Sequence, residues 1–233
     1  FSFAQGNKKG FSLSLKSGIT FANMYGQDVK SETFLNGDNP ENFYANDPAS
    51  NVFKLGDNFG LLLDYRFNQH ISLGIGTSYI QKGAKINVNR YWNSEMQTYV
   101  EVKGKTYWNQ SFWTLEIPLT IYLPLQQNDI YFQVGIFTGF LINSEEKGNI
   151  KISGKEYEYV NNRIANGKEP GYFLRGGYIF SLPNNKGSIF GELSWSRSIK
   201  TAGSGIIPNP QYYYNQTISI NIGYRYHFNF TKK

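Results

Sequence analysis

The chain has 233 residues, a formal net charge of +6, 40% hydrophobic residues and no cysteine. The length allows one domain of ordinary size, and the absence of cysteine excludes disulfides, thiolate metal sites and a cysteine nucleophile. No apolar run reaches the length of a transmembrane helix; the best candidate, Phe112 to Leu125, is interrupted by Glu116, Pro118 and Pro124.

In chain order, Phe1-Ser2-Phe3-Ala4-Gln5 places small residues where a signal-peptide cleavage site needs them. Residues 1–4 are therefore expected to be a signal-peptide remnant and 5–233 a single domain. From Phe11 onward the hydrophobic pattern has a period of two, and a strand sends alternate side chains to opposite faces. The first strand sets Phe11, Leu13, Leu15, Ile19 and Phe21 against Ser12, Ser14, Lys16, Gly18 and Thr20. The second has Phe59, Leu61, Leu63, Tyr65 and Phe67 opposite Asp64 and Arg66, and the third has Ile71, Leu73, Ile75 and Tyr79 opposite Ser72, Gly74 and Ser78. In the fourth, Leu115 to Leu123 alternate with Glu116, Pro118, Thr120 and Tyr122. The fifth carries Phe132, Val134, Ile136, Phe140 and Ile142. The sixth carries Tyr172, Leu174, Tyr178 and Phe180 with Arg175 opposite, and the seventh Ile189, Leu193, Trp195 and Ile199 with Glu192 opposite.

The eighth strand is the clearest. From Ile218 to Phe230 every second residue is large and apolar, and Ser219, Asn221, Gly223, Arg225, His227 and Asn229 stand between. About a dozen residues cross a bilayer at a tilt, and aromatics gathering toward one end mark a membrane interface. The connections alternate in length. Those near 68–70, 126–129 and 183–187 are short and rich in turn formers, whereas those near 23–58, 87–111, 143–171 and 201–216 are long. Two long connections read as projecting hairpins, Lys85–Val88 against Tyr99–Val102 and Ile150–Ile152 against Tyr157–Tyr159 around Ser153-Gly154. Short turns on one side and long loops on the other predict an all-β fold. It is an eight-stranded antiparallel transmembrane β-barrel of outer-membrane type, with four long external loops and both termini periplasmic. The mean hydropathy of −0.45 is compatible with this, because only half of each strand meets lipid. A soluble lipocalin-like barrel is the rival. Its outer face would be rich in Lys and Glu, and the polar face here is mostly Gly, Ser, Thr and Asn, suited to a crowded lumen. Pro118, unable to donate to a ladder, would mark an edge or bulge.

On this register the lumen contains Lys16, Asp64, Arg66, Lys82, Glu116, Arg175, Glu192 and Arg225. Unpaired charge in a narrow barrel is costly, so Glu116 and Glu192 should meet cations from facing strands as a structural ion network rather than an acid/base pair. His70 and His227 stand without a nucleophile or carboxylate motif, and Asp38, Glu41 and Asp47 lack EF-hand spacing. No metal, cofactor or nucleic-acid site is expected.

Several stretches resemble the PorT-like outer-membrane β-barrel proteins of Bacteroidota. These are Lys9-Gly10-Phe11-Ser12-Leu13-Ser14, Tyr79-Ile80-Gln81-Lys82-Gly83, Leu115-Glu116-Ile117-Pro118-Leu119 and Gly223-Tyr224-Arg225-Tyr226, in that order along the chain. The resemblance implies an outer-membrane location and a single barrel, and leaves the secretion role of the founding member open. The function expected is a non-enzymatic membrane anchor or accessory subunit of an envelope complex. Its partners would be outer-membrane lipid, lipopolysaccharide, or other outer-membrane or secretion-complex proteins. A small pore or transporter is the alternative, and a membrane-embedded enzyme a third.

Overall fold

A computed structural model describes residues 9–37, 42–183, 187–202 and 212–228. The proposed cleavage remnant at 1–4, the end of the last strand beyond 228, Asp38, Glu41 and most of the short turn at 183–187 lie outside them. The described residues form β1 (Gly10–Gly26), β2 (Glu32–Asn36), β3 (Tyr44–Ala45), β4 (Lys54–Arg66), β5 (Ile71–Asn93) and β6 (Thr98–Leu125). They continue through β7 (Asn128–Ile152), β8 (Lys155–Asn162), β9 (Lys168–Ser181), β10 (Gly187–Ser198) and β11 (Tyr213–His227).

Eight strands close a ring in the order β1-β4-β5-β6-β7-β9-β10-β11, antiparallel throughout, with β11 returning to β1 from Gly26↔Tyr213 to Ser12↔His227. Closure leaves the ring with no unpaired edge, which is the condition for strands in a hydrocarbon core. The alternation has the polarity of a membrane protein. Ile220 and Ile222 are 59% and 67% exposed, while Asn221 between them is 5% exposed. The same inversion holds on β6, where Leu115, Ile117, Leu119 and Ile121 face outward and Glu116 and Thr120 are buried. Rings frame this apolar band at both ends. Tyr79 and Trp113 meet edge to face on the loop side, and Phe11, Tyr65 and Phe67 cluster on the short-turn side.

Among the described residues the lumen is filled by large rings, and glycines on neighbouring strands make the room. A Cβ on Gly135 would stand 2.4 Å from the Phe173 ring, and one on Gly223 would stand 2.3 Å from the Phe190 ring. Pro118 sits on an interior strand, neither at an edge nor at a bulge. The β5–β6 ladder lapses opposite it, between Leu73↔Leu119 and Gly76↔Glu116, while the β6–β7 ladder runs on through Pro118↔Gly135. The missing N–H therefore costs a local gap on one side only.

Two long connections are mostly strand. β5 and β6 continue past the lipid band to a turn at 94–97, and their register sets Lys85 against Tyr107 and Val88 against Gly104. The hairpin is thus longer than the expected Lys85–Val88/Tyr99–Val102 pairing. Bulges at Val88/Arg90 and Ser111/Phe112, which add residues that break strict alternation, hid that register. The β7–β8 hairpin turns at Ser153-Gly154, with φ of 48° and 86°, the pair of positive values that a tight two-residue hairpin turn requires. The parallel pairing of β2 with β5 had no signature in the sequence.

Replacing Ile220 by Arg should destabilise the barrel by about 2–4 kcal/mol, or block its assembly, because the side chain faces the hydrocarbon. Ser219→Ala, which removes a single lumen bond to Thr20, should cost only about 1 kcal/mol. Urea titration of both variants in lipid vesicles measures this. Equal tolerance of the two would mean that the faces are exchanged.

Candidate functional site

The lumen is organised in three tiers of charge. In the middle, Arg175 on β9 donates from Nη2 to Glu116 Oε2 on β6 at 2.7 Å, and its Nε stands 3.8 Å from Glu192 on β10. Lys16 on β1 reaches the same Glu192 Oε1 at 3.4 Å. Glu192 also accepts from Tyr131 Oη at 2.9 Å and Asn221 Nδ2 at 2.9 Å. Ser78 and Thr114 donate to Glu116 Oε1. Both carboxylates therefore have cationic and neutral donors, which is what a charge needs to remain ionised away from water.

Toward the short turns, Arg66 pairs with Asp129 at 3.0 Å and lies over the Tyr122 ring. Arg225 stands 3.9 Å from Asp64, donates to Tyr122 Oη at 3.0 Å and to Ser14 Oγ at 2.9 Å. Toward the loops, Lys82 pairs with Glu169 and sits 4.5 Å from the centre of the Phe137 ring. The eight charges that strand parity assigns to the lumen are all buried. They comprise five cations and three anions, a surplus of two. Asp129 and Glu169 supply the two missing anions, and the ten groups sum to zero. Both lie in stretches that the sequence pattern assigns to connections. Asp129 shares the parity of Tyr131 and Gln133, so extending the alternation of β7 by one step would have found it. The surplus of two cations was the other clue.

The space left among Lys16, Glu116, Arg175 and Asn221 is about 30 Å³, room for one or two waters. Toward the loops the described residues fill the ring as well. Trp108 on β6 and Tyr213 on β11 face each other across the ring with centroids 5.8 Å apart, packed with Met24, Ala49, Ala84 and Ala202. Above them the first long connection folds inward. Leu35, Phe43 and Ala45 pack on Val88, Val102, Ile150 and Tyr159 of the projecting hairpins. Glu146 locks this lobe. It is fully buried, accepts from Ala45 N at 2.6 Å, Tyr159 Oη at 2.8 Å and Thr106 Oγ1 at 3.2 Å, and pairs with Arg163. Burial, together with the charge of Glu146, pushes the Tyr159 phenol well above the usual tyrosine range. It stays a neutral donor at every physiological pH.

The two histidines serve the short-turn side. His70 Nδ1 lies 3.3 Å from Tyr122 O, and His227 Nε2 lies 2.9 Å from Ser188 Oγ. Among the described residues no group of three or more His, Cys, Asp or Glu side chains could hold a metal ion.

Glu116→Gln should lower barrel stability by about 3–5 kcal/mol, since it leaves Arg175 with an unbalanced buried charge. Thermal melting of the purified variant measures this. A variant as stable as the parent would argue for a carboxylate held in a strained, functional arrangement instead.

No curated protein sequence matches the chain. Among solved structures it resembles Neisserial surface protein A, at 9% identity and a TM-score of 0.47, over 94% of this chain and all of that one. It also resembles the outer membrane protein OprG from Pseudomonas aeruginosa, at 8% identity and a TM-score of 0.46, over 94% of this chain and 98% of that one. A third is the outer membrane protease OmpT from Escherichia coli, at 11% identity and a TM-score of 0.40, over 98% and 99% of the two chains. A family model described as "Outer membrane protein beta-barrel domain" matches residues 3–233. The chain belongs to that family of bacterial outer-membrane β-barrels.

Proposed function

We propose that this protein is a non-enzymatic outer-membrane barrel, closed to solutes, that anchors a rigid external lobe for docking to another envelope component. The observation that carries the reading is the lumen, filled by ten self-neutralising charges and sealed by Trp108 against Tyr213. An interior occupied this way offers neither a conduction path nor a cleft in which a substrate could reach Glu116 or Glu192. What the protein presents to its surroundings is its lobe and its wall.

The tip of the lobe has the composition of a binding surface. Trp92 and Tyr99 meet at 5.0 Å, Phe34 meets Tyr99 at 5.1 Å, and Arg90 lies 4.6 Å above the Tyr99 ring, which is 42% exposed. Tyr, Trp and Arg are the residues that dominate the energetics of protein interfaces. The lobe's own hydrophobic core and the Glu146 lock hold these side chains in place before a partner arrives, which lowers the entropic cost of binding. The sidedness of the connections supports an external lobe and periplasmic termini. The ordered motifs from Lys9-Gly10-Phe11 to Gly223-Tyr224-Arg225-Tyr226 support a place with the PorT-like proteins of Bacteroidota, and with them an accessory role in an envelope or secretion complex.

Reconstituted in planar bilayers, the protein should show no stable, porin-like conductance; sustained large currents would put the pore reading first. Orientation has its own test. A protease-cleavable tag at Gly154 should be cut from outside intact cells and one at Gln127 should not, and equal cleavage would overturn the topology.

A further inference from the structure

The inner faces of the projecting strands are used up by the lobe's core, but their outer faces hold a groove of about 630 Å³. It opens in the row just beyond the Tyr79–Trp113 belt, where Gln81 pairs with Ser111, and rises to the row in which Lys85 faces Tyr107 and Tyr107 faces Lys147. Its lower wall is apolar. Phe53 and Leu55, 46% and 65% exposed, continue the lipid-facing surface of β4 up into the groove. Its upper wall is cationic. Lys54, Lys85 and Lys147 line it against a single carboxylate, Glu145, which is spent on Lys147 at 2.8 Å.

That leaves Lys54 and Lys85. Neither ammonium has a hydrogen bond or an ion pair with the described residues, and Lys54 is more than nine-tenths buried. Asp57 and Glu145 act on Lys54 only at a distance, without a bond, and Glu145 is already paired with Lys147, so the two ammonium groups lack a bonded anion directly above an apolar wall. An ammonium pair over exposed Phe and Leu side chains complements a molecule that is anionic at the head and hydrocarbon below. We infer that this groove is a specific site for a phosphorylated glycolipid of the outer leaflet. A phosphate would sit between Lys54 and Lys85, and an acyl chain would lie along Phe53 and Leu55. The inference rests on the external orientation of the lobe proposed above, and it assigns to the barrel wall a ligand distinct from any partner of the lobe's tip.

The test uses the full-length barrel in detergent, with diphosphoryl lipid A as the probe and native mass spectrometry as the readout. The Lys54→Gln/Lys85→Gln/Lys147→Gln variant should bind the probe at least roughly tenfold more weakly than the parent. The Lys103→Gln/Lys151→Gln variant removes charge from the second outward row beyond the groove and should bind as the parent does. Lipid A stripped of its phosphates should bind the parent as weakly as the probe binds the triple variant. Folding of each variant is followed by its heat-modifiable gel mobility. If Lys54→Gln disturbs folding, the outward-facing Lys85→Gln/Lys147→Gln pair makes the same comparison. Parent-like binding by the groove variant, or equal weakening by the control pair, would overturn the site. Displacement of the probe by excess inorganic phosphate would overturn the lipid as its occupant. An inverted barrel would instead fail the tag experiment while leaving this binding unchanged, so the two readings fail separately.

Discussion

Charge neutrality inside a lumen too narrow for bulk water is the constraint on which the rest of this structure depends. An eight-stranded ring leaves an interior just wide enough to be filled by side chains, and any ionised group placed there must find its counter-charge across the ring. Lys16 with Glu192, Arg175 with Glu116, Arg66 with Asp129, Arg225 with Asp64 and Lys82 with Glu169 all join strands that are not neighbours in the sheet. The sheet's ladders close the wall; these pairs fix its cross-section. Breaking one partner leaves a stranded charge rather than a missing contact, so the network acts as a whole.

On the proposed reading, a filled lumen leaves function to the outer surfaces. The strands β5, β6 and β7 run beyond the lipid band, and once they leave it their inward faces become apolar, with Val88, Val102 and Ile150 replacing the hydroxyls and charges found lower down. An apolar face in water needs cover. The segment containing β2 and β3 supplies it through Leu35, Phe43 and Ala45, and Glu146 satisfies the backbone and phenol donors that this covering buries. The lobe is therefore a second small core built on the barrel's rim.

Much of the fold could be read from local alternation, because the lipid face imposes a period of two wherever a strand crosses. The run Ile218 to Phe228, with polar residues between, needed nothing from the rest of the chain. The lumen charges were legible for the same reason, since parity alone places Glu116 and Arg175 inside. Their pairing was not. Lys16 and Glu192 are 176 residues apart, and only the ring order brings them together. Asp129 and Glu169 were hidden by lying one residue inside the strand ends. Beyond the lipid band the periodic signal lapses, since bulges such as that at Val88/Arg90 shift parity and both faces carry polar residues. Hence the hairpin register, the parallel β2–β5 pairing and the groove above Phe53 and Leu55 came only from the structure.

The central claim is that paired lumen charges close and hold this barrel, and the Lys82–Glu169 pair tests it most directly because it stands apart from the shared contacts of the central tier. A double-mutant cycle on the folded barrel in lipid vesicles, with Lys82→Met, Glu169→Gln and both together, measures the coupling by equilibrium denaturation. Each single change should destabilise, and the double variant should recover part of the loss, with a coupling of about 1–3 kcal/mol. Additive losses, with no coupling between the two sites, would contradict it.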